Sequence, residues 1–132
     1  MQTDLFPPSF PVELAKLAFS SGDEAAWPPS IAVLAVEWFG SHGYAVLGAE
    51  LWVLHTDGIQ SLPVGRDGMR GVYGNTVDRR KDEAWSSFVV RAADETRKYL
   101  QAFDHSDIVE QGQLYFNVVW ASESLFNKLV ST

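Results

Sequence analysis

The fold is decided by the stretch Gly112-Gln-Leu-Tyr-Phe-Asn-Val-Val-Trp-Ala-Ser-Glu-Ser-Leu-Phe-Asn-Lys-Leu129. Its first half alternates in a way that predicts a β-strand, and Ser122 stands where the N-cap of a short closing helix is expected. The apolar residues on one side of the strand are Leu114, Phe116, Val118 and Trp120. On the other side, Asn117 either hydrogen-bonds a neighbouring loop or faces water. Because the stretch carries almost no group suited to chemistry, we interpret it as scaffold.

Another strand is expected over the segment 44–54, whose apolar residues do not alternate cleanly. Such a pattern indicates a strand that is covered on both faces. Thr56-Asp-Gly58 is a tight-turn signal, so residues 59–64 are expected to fold back as a hairpin partner. Residues 65–81 are then predicted to form an irregular loop, since they are rich in glycine and arginine.

Three other segments have apolar residues at the spacing of an α-helix. A first helix is predicted from Pro11 to the stop at Ser21-Gly-Asp23. A second, at 30–40, is apolar on nearly every face and is therefore expected to be deeply buried. Its expected N-cap is Ser30, and its expected stops are Gly40 and Gly43.

The longest helix is predicted at 83–103, where the apolar residues fall on one stripe. The stripe consists of Trp85, Phe88, Val89, Ala92, Thr96, Tyr99, Leu100 and Phe103. This helix and the 114–120 strand are expected to build the core against the 44–54 strand. The sequence thus predicts an α+β fold, with a small, mainly antiparallel sheet and flanking helices. We expect a single domain over 1–132, with an extended N-terminal arm at 1–10.

Composition narrows the classes of function. The chain has 132 residues, no cysteine and a formal net charge of −7. Without cysteine there is neither a disulfide framework nor a thiolate zinc site. An acidic chain is poorly suited to a phosphate backbone, so no nucleic-acid partner is expected. The N-terminus lacks signal-peptide features and the apolar runs are too short for a bilayer, so we expect a cytoplasmic protein with no membrane partner.

Few residues are candidates for chemistry. The spacing of the three histidines, His42, His55 and His105, matches no short metal motif. Glu50 interrupts an apolar strand, which makes it a candidate acid or base beside a histidine. It could equally pair with an arginine of the 65–81 loop or lie in a partner interface. Since no second group follows at an informative spacing, we predict no catalytic, metal or cofactor site and no enzyme.

Three blocks of the sequence carry a family resemblance. They are Val46-Leu-Gly-Ala-Glu-Leu-Trp52, Trp85-x-x-Phe-Val-x-Arg-Ala-x-x-x-x-x-x-Tyr-Leu100 and Leu114-Tyr-Phe-Asn-Val-Val-Trp120. In this order and at these separations they resemble the immunity protein 40 family of bacterial polymorphic toxin systems. The resemblance implies a cytoplasmic antidote that binds and neutralises a cognate toxin delivered between competing bacteria.

A toxin-binding surface is expected where aromatic anchors and flanking charges lie together. The predicted partner-binding residues are Glu50, Trp52, Asp57, Arg66, Arg70 and Tyr73. The acidity fits a protein that covers a basic cleft, and it also fits one that is merely kept soluble by its charge. The alternative function is a small non-catalytic α+β binding module, or an accessory subunit of unrelated function.

Overall fold

The structure is a computed structural model that describes residues 5–131. The strands in this range are Phe19–Ser21 (β1), Glu24–Trp27 (β2), Ala45–His55 (β3), Gly58–Gln60 (β4), Gly74–Thr76 (β5) and Gln113–Ala121 (β6). The α-helices are Val12–Leu17 (α1), Pro29–Ser41 (α2), Trp85–Ala102 (α3) and Glu123–Val130 (α4). The strands form one curled antiparallel sheet in the order β1-β2-β6-β3, with both β4 and β5 on the other edge of β3. The predicted α+β class is confirmed.

β3 and β6 form the centre of the sheet, paired from Ala45 opposite Ala121 to Leu54 opposite Gln113. Their register shifts between Val46 and Gly48, where β3 carries a bulge. A bulge moves the following side chains to the other face of a strand. The predicted cover on both faces is confirmed along most of β3, since the consecutive residues Leu51, Trp52 and Val53 are each at most 5% exposed, and the bulge adds to the absence of clean alternation in 44–54.

The helix side of the sheet holds the core. Phe116 is fully buried. Its ring meets two other rings edge-on: that of Tyr99 in α3 at a centroid distance of 6.1 Å, and that of Phe103, the C-cap of α3, at 5.2 Å. Phe39 of α2 stacks on Trp120 at 4.4 Å. The predicted core of strand 114–120 and helix 83–103 packed against strand 44–54 is confirmed.

α2 differs from its prediction in three ways. Its first turn follows Pro28, with no side-chain cap from Ser30. Gly40 lies inside the helix instead of ending it, and a Cβ there would lie 2.5 Å from Cβ of Ala93 in α3. Glycine at this position therefore lets the two helices approach closely. The helix is also less buried than predicted, since Leu34 is 50% exposed.

A hairpin stands where the first helix was predicted to continue. α1 ends at Leu17, and β1 and β2 follow with Gly22 in the turn at φ +62°. Trp27 of β2 donates its indole N–H to the carbonyl oxygen of Leu14, at 2.7 Å. This bond ties the hairpin to α1 through a fully buried ring.

The predicted extended arm and the predicted irregular 65–81 loop both contain more structure than expected. Residues 5–10 of the predicted arm turn instead of extending, because Phe10 N–H donates to the carbonyl of Pro7 and Phe6 stacks on Phe10. Residues 1–4 of that arm lie outside the described residues. β4 is shorter than the predicted 59–64, and the 65–81 loop contains β5, which pairs with β3.

The two C-terminal helices agree with their predictions. α3 buries Phe88, Val89, Ala92, Thr96 and Leu100, all members of the predicted stripe. The Ser122 side chain accepts the backbone N–H of Leu125 at 3.2 Å, and so it caps α4 as expected.

Phe116→Ala is expected to lower the free energy of unfolding by about 3–5 kcal/mol, because it removes a buried ring and leaves a cavity. Chemical denaturation at constant m-value measures the change. Val119→Ala, on the same strand but at a residue that is 41% exposed, serves as the control and should cost far less. Equal losses in the two variants would contradict the assignment of Phe116 to the core.

Gly40→Ala tests the close approach of α2 and α3. In an open helix this change would stabilise by up to about 1 kcal/mol through helix propensity. Here the new methyl group meets Ala93, so we expect a net loss of stability. In an Ala93→Gly background the same change should become stabilising. A stabilising effect in both backgrounds would show that the helices are further apart.

Candidate partner-binding face

Side chains on the face of the sheet opposite α2 and α3 form what we call the outer face. Leu51, Phe116 and Val118 belong to the helix-side core, so their neighbours in sequence point the other way. Register places Glu50 opposite Asn117 and Trp52 opposite Tyr115. The outer face comprises Phe19, Glu24, Ala26, Glu50, Trp52, Tyr115, Asn117 and Val119.

Three aromatic rings lie on this face. Trp52 and Tyr115 are cross-strand neighbours, and Phe19 meets Tyr115 edge-on at 6.5 Å. Phe19 and Tyr115 are partly exposed, whereas Trp52 is only 5% exposed. Exposed aromatic edges beside a rigid, buried ring are typical of the anchors in protein interfaces.

Asn117 is the buried polar residue at the centre of the outer face, 4% exposed. Its Nδ2 donates to Oε2 of Glu24 at 2.8 Å, a bond that fixes the amide orientation because a carboxylate only accepts. Within the described residues its Oδ1 has no hydrogen-bond partner. A buried acceptor left in this state costs about 1–3 kcal/mol. Of the two alternatives for Asn117, hydrogen bonding is observed, although its partner begins a strand and is not part of a loop.

A groove of about 550 Å³ runs beside Asn117 towards α4. Its polar lining consists of Asn117 with the carboxylates of Asp23 and Glu24. The apolar lining consists of Leu5, Leu47, Val118, Val119, Trp120, Leu125 and Leu129. None of these described lining residues is basic, so the groove combines an apolar wall with a negatively charged rim.

Glu50 does not pair with an arginine of the 65–81 loop, which was one of the alternatives considered for it. Arg70 donates instead to the Leu62 carbonyl and to Oε1 of Glu110, both at 3.0 Å. Arg66 donates to Ser106 Oγ at 2.6 Å and pairs with Asp107 at 3.0 Å. Among residues 5–131, Glu50 makes no ion pair, and its negative charge has no cationic neighbour on the outer face.

Glu110 organises the loop that carries these arginines. Its carboxylate accepts from His55 Nε2 at 2.6 Å, from Val64 N–H and from Arg70. Burial acts to raise the pKa of Glu110, but the bonds from His55, Val64 and Arg70 together hold it below its ordinary value. The arrangement ties the segment after β4 to the chain entering β6.

The six predicted partner-binding residues fall into separate places. Glu50 and Trp52 share the outer face, and Asp57 is exposed in the turn between β3 and β4. Arg66 and Arg70 lie together around residues 104–110, while Tyr73 packs its ring over Gly65 and against the helix-side core. The outer-face residues that were not among the predicted partner-binding residues are Phe19, Glu24, Ala26, Tyr115, Asn117 and Val119.

Comparison of the sequence with models of protein families identifies the family of this chain. The model of the family described as Immunity protein 40 matches residues 13–120. The chain belongs to the immunity protein 40 family. No curated protein and no solved structure matches it significantly. The match spans all six strands up to Trp120, and therefore nearly the whole outer face, whereas α4 lies beyond it.

Immunity proteins have a toxin as partner and are in general non-catalytic. In this immunity protein the three histidines lie in different surroundings: His42 stacks on Trp38, His55 bonds Glu110, and His105 packs beside Phe103. No three metal-ligating side chains gather anywhere in 5–131. Among the helices of the same range, none has the length and apolar character to span a bilayer.

Acid titration is expected to expose the role of Glu110. Because folding lowers its pKa, this carboxylate stabilises the protein above the unfolded value of about 4.3. That contribution is lost as the pH falls through the lower folded pKa. Glu110→Gln should therefore lower stability at pH 7 and lose less on acidification than the native chain does, as measured by urea unfolding across the pH range. Glu37→Gln, at an exposed residue of α2, is the control and should keep the native profile.

Asn117→Val should keep the free energy of unfolding unchanged or raise it by about 1–2 kcal/mol, because it removes an unpartnered buried acceptor. The matched control is Asn75→Val. Asn75 Oδ1 accepts from Ala49 N–H and its Nδ2 donates to Thr96 Oγ1, both at 3.0 Å, so its loss should destabilise. Equal destabilisation of the two variants in denaturant melts would contradict the assignment of an unpartnered oxygen to Asn117.

Proposed function

We propose that this protein neutralises a cognate toxin by binding it through the outer face, in the cytoplasm of the bacterium that carries both proteins. The observation that carries the proposal is the family match over 13–120. A polymorphic toxin system is the setting that this family implies. Inhibition then comes from covering the toxin with a surface, and no chemical step by the immunity protein is needed.

The outer face supports this proposal through its composition. Phe19 and Tyr115 offer aromatic contact area beside the buried ring of Trp52, and the carboxylates of Glu24 and Glu50 lie on the same face. Fixed negative charge without a cationic neighbour among the described residues favours a partner with a basic surface and accelerates its association. A toxin that handles a polyanionic substrate has such a surface in its own binding cleft.

The 65–81 loop is the second part of the proposed interface, and it retains Arg66, Arg70 and Tyr73 from the sequence prediction. Met69 and Val72 are 68% and 66% exposed on this loop, so the loop offers apolar area in addition to the two arginines. Arg66 and Arg70 keep more than half of their side-chain surface exposed while they hold the loop in place. Asp57 contributes from the neighbouring turn.

Co-expression with the product of the gene immediately upstream tests the proposal. The native chain should restore growth to cells that make this product, and the two proteins should co-purify as one complex. Growth arrest that the native chain leaves unchanged, with no co-purification, would reject the proposed function.

Glu50→Lys tests the assignment of the interface to the outer face. Placing a cation where the partner is expected to be basic should weaken binding by about 30-fold or more, equivalent to 2 kcal/mol or above. Glu37→Lys makes the same change in charge on the exposed side of α2 and should leave the Kd within about two-fold. Calorimetric titration gives both values. Equal affinities would move the interface elsewhere on the protein.

A further inference from the structure

We propose that Glu24, Asn117 and Glu50 form a subsite that receives an arginine side chain of the bound toxin. The inference rests on the proposed function and deepens it, because it names the chemistry of the partner at one position. No other segment of the described chain supplies a cation to these residues, and each of the three offers an acceptor oxygen.

The three residues are brought together by strand pairing. Asn117 of β6 lies directly opposite Glu50 of β3, and it is bonded to Glu24 of β2 at 2.8 Å on its other side. Directly opposed residues in an antiparallel pair have Cβ atoms about 4.5–5.5 Å apart. One amide is therefore flanked by two carboxylates across three adjacent strands.

The burial and bonding of Asn117 distinguish this site from an ordinary patch of acidic residues. Asn117 is 4% exposed and lines the groove, and its Oδ1 lacks a partner within 5–131. An arriving donor therefore satisfies an acceptor that folding has already removed from water. The same donor meets carboxylates that carry no salt bridge to any of residues 5–131, so no ion pair of the described chain has to be broken.

Arginine fits these acceptors better than lysine does. Its planar guanidinium presents five N–H donors in a fixed fork, which can reach an amide oxygen and a carboxylate at once. It also stacks on aromatic faces, and Tyr115 and Trp52 lie two residues along β6 and β3 from Asn117 and Glu50. An ammonium group is a compact, strongly hydrated charge without this geometry.

Access to the subsite runs through Glu24. Its side chain is exposed at the start of β2, beside the groove, and its only bond within the described residues is the one from Asn117. Rotation of an exposed glutamate is fast, so the carboxylate can swing to meet the guanidinium while Asn117 Oδ1 takes a second donor. The apolar wall of the groove, including Val119 and Leu125, then accommodates the residues next to the arginine.

The first test uses a small probe and does not need the toxin. N-acetyl-arginine methylamide is titrated into ¹⁵N-labelled protein while the side-chain amide signals of Asn117 are followed by NMR. The neutral control is N-acetyl-citrulline methylamide, which has nearly the same shape, and N-acetyl-lysine methylamide is the charged control. We expect saturable shifts with the arginine probe at a Kd on the order of 1–10 mM, and weaker or no binding of both controls.

Substitutions test whether binding of the arginine probe depends on Glu24, Asn117 and Glu50. Glu24→Gln and Glu50→Gln should each weaken the arginine probe by about three-fold or more, and Glu37→Gln should not change it. Asn117→Val, followed through neighbouring backbone amides, should weaken it by about five-fold while the protein stays folded. Shifts that fail to saturate by about 50 mM, or that are equal for arginine and citrulline, would overturn the subsite.

A second measurement separates the subsite from the proposed function. The double variant Glu24→Gln/Glu50→Gln should bind the upstream toxin about 30-fold or more weakly than the native chain. Unchanged toxin affinity in this variant would overturn the arginine subsite and leave the toxin-binding function standing. Failure of the native chain to bind the toxin would reject the proposed function, and the arginine-probe titration would still decide the subsite on its own.

Discussion

The bulge between Val46 and Gly48 is the constraint on which the arrangement of this protein depends. Side chains alternate along a strand, so a shift of one residue exchanges the two faces of everything that follows. After the bulge, Ala49 and Leu51 enter the helix-side core, and Glu50 and Trp52 reach the outer face. A regular strand in the same register at Val46 would bury Glu50 under the helices and leave Leu51 outside.

Gly48 and Asn75 hold this bulge in place. Gly48 has φ +151°, and β5 approaches it so closely that a Cβ would collide with the carbonyl of Asn75. The Asn75 side chain accepts from Ala49 N–H and donates to the fully buried Thr96 of α3. The side-chain amide of Asn75 thus joins the bulge of β3, the short strand β5 and the helix α3. Both its N–H donor and its oxygen acceptor are used. The contrast with Asn117, whose oxygen has no partner in 5–131, separates a structural asparagine from one available for binding.

The sequence predicted what depends on local periodicity and missed what depends on contacts between distant residues. α3, the strands β3 and β6 and the place of Phe116 in the core follow from residue spacing and apolar character alone. β1 and β2 span only three and four residues, so their hairpin lacks a periodic signal and its turn looks like the end of a helix. Glycine often ends a helix, but at position 40 it is needed because the neighbouring helix lies close to it. In the candidate site, Glu50 and Trp52 stand out within one strand, whereas Asn117 and Glu24 are 93 residues apart and meet only through β2–β6 pairing.

The two faces of the sheet differ in how completely their polar groups are hydrogen-bonded. On the helix side, apolar side chains are buried and the amide of Asn75 is fully bonded, which maximises stability. On the outer face, the buried Oδ1 of Asn117 has no partner within residues 5–131, which costs stability in the isolated protein, and two carboxylates have no counter-ion in the same range. Proteins retain such features where a ligand supplies the missing groups, because binding then recovers the free energy that folding left unused. The outer face therefore differs from the core in kind, and its incomplete bonding supports the proposal that a basic partner binds there.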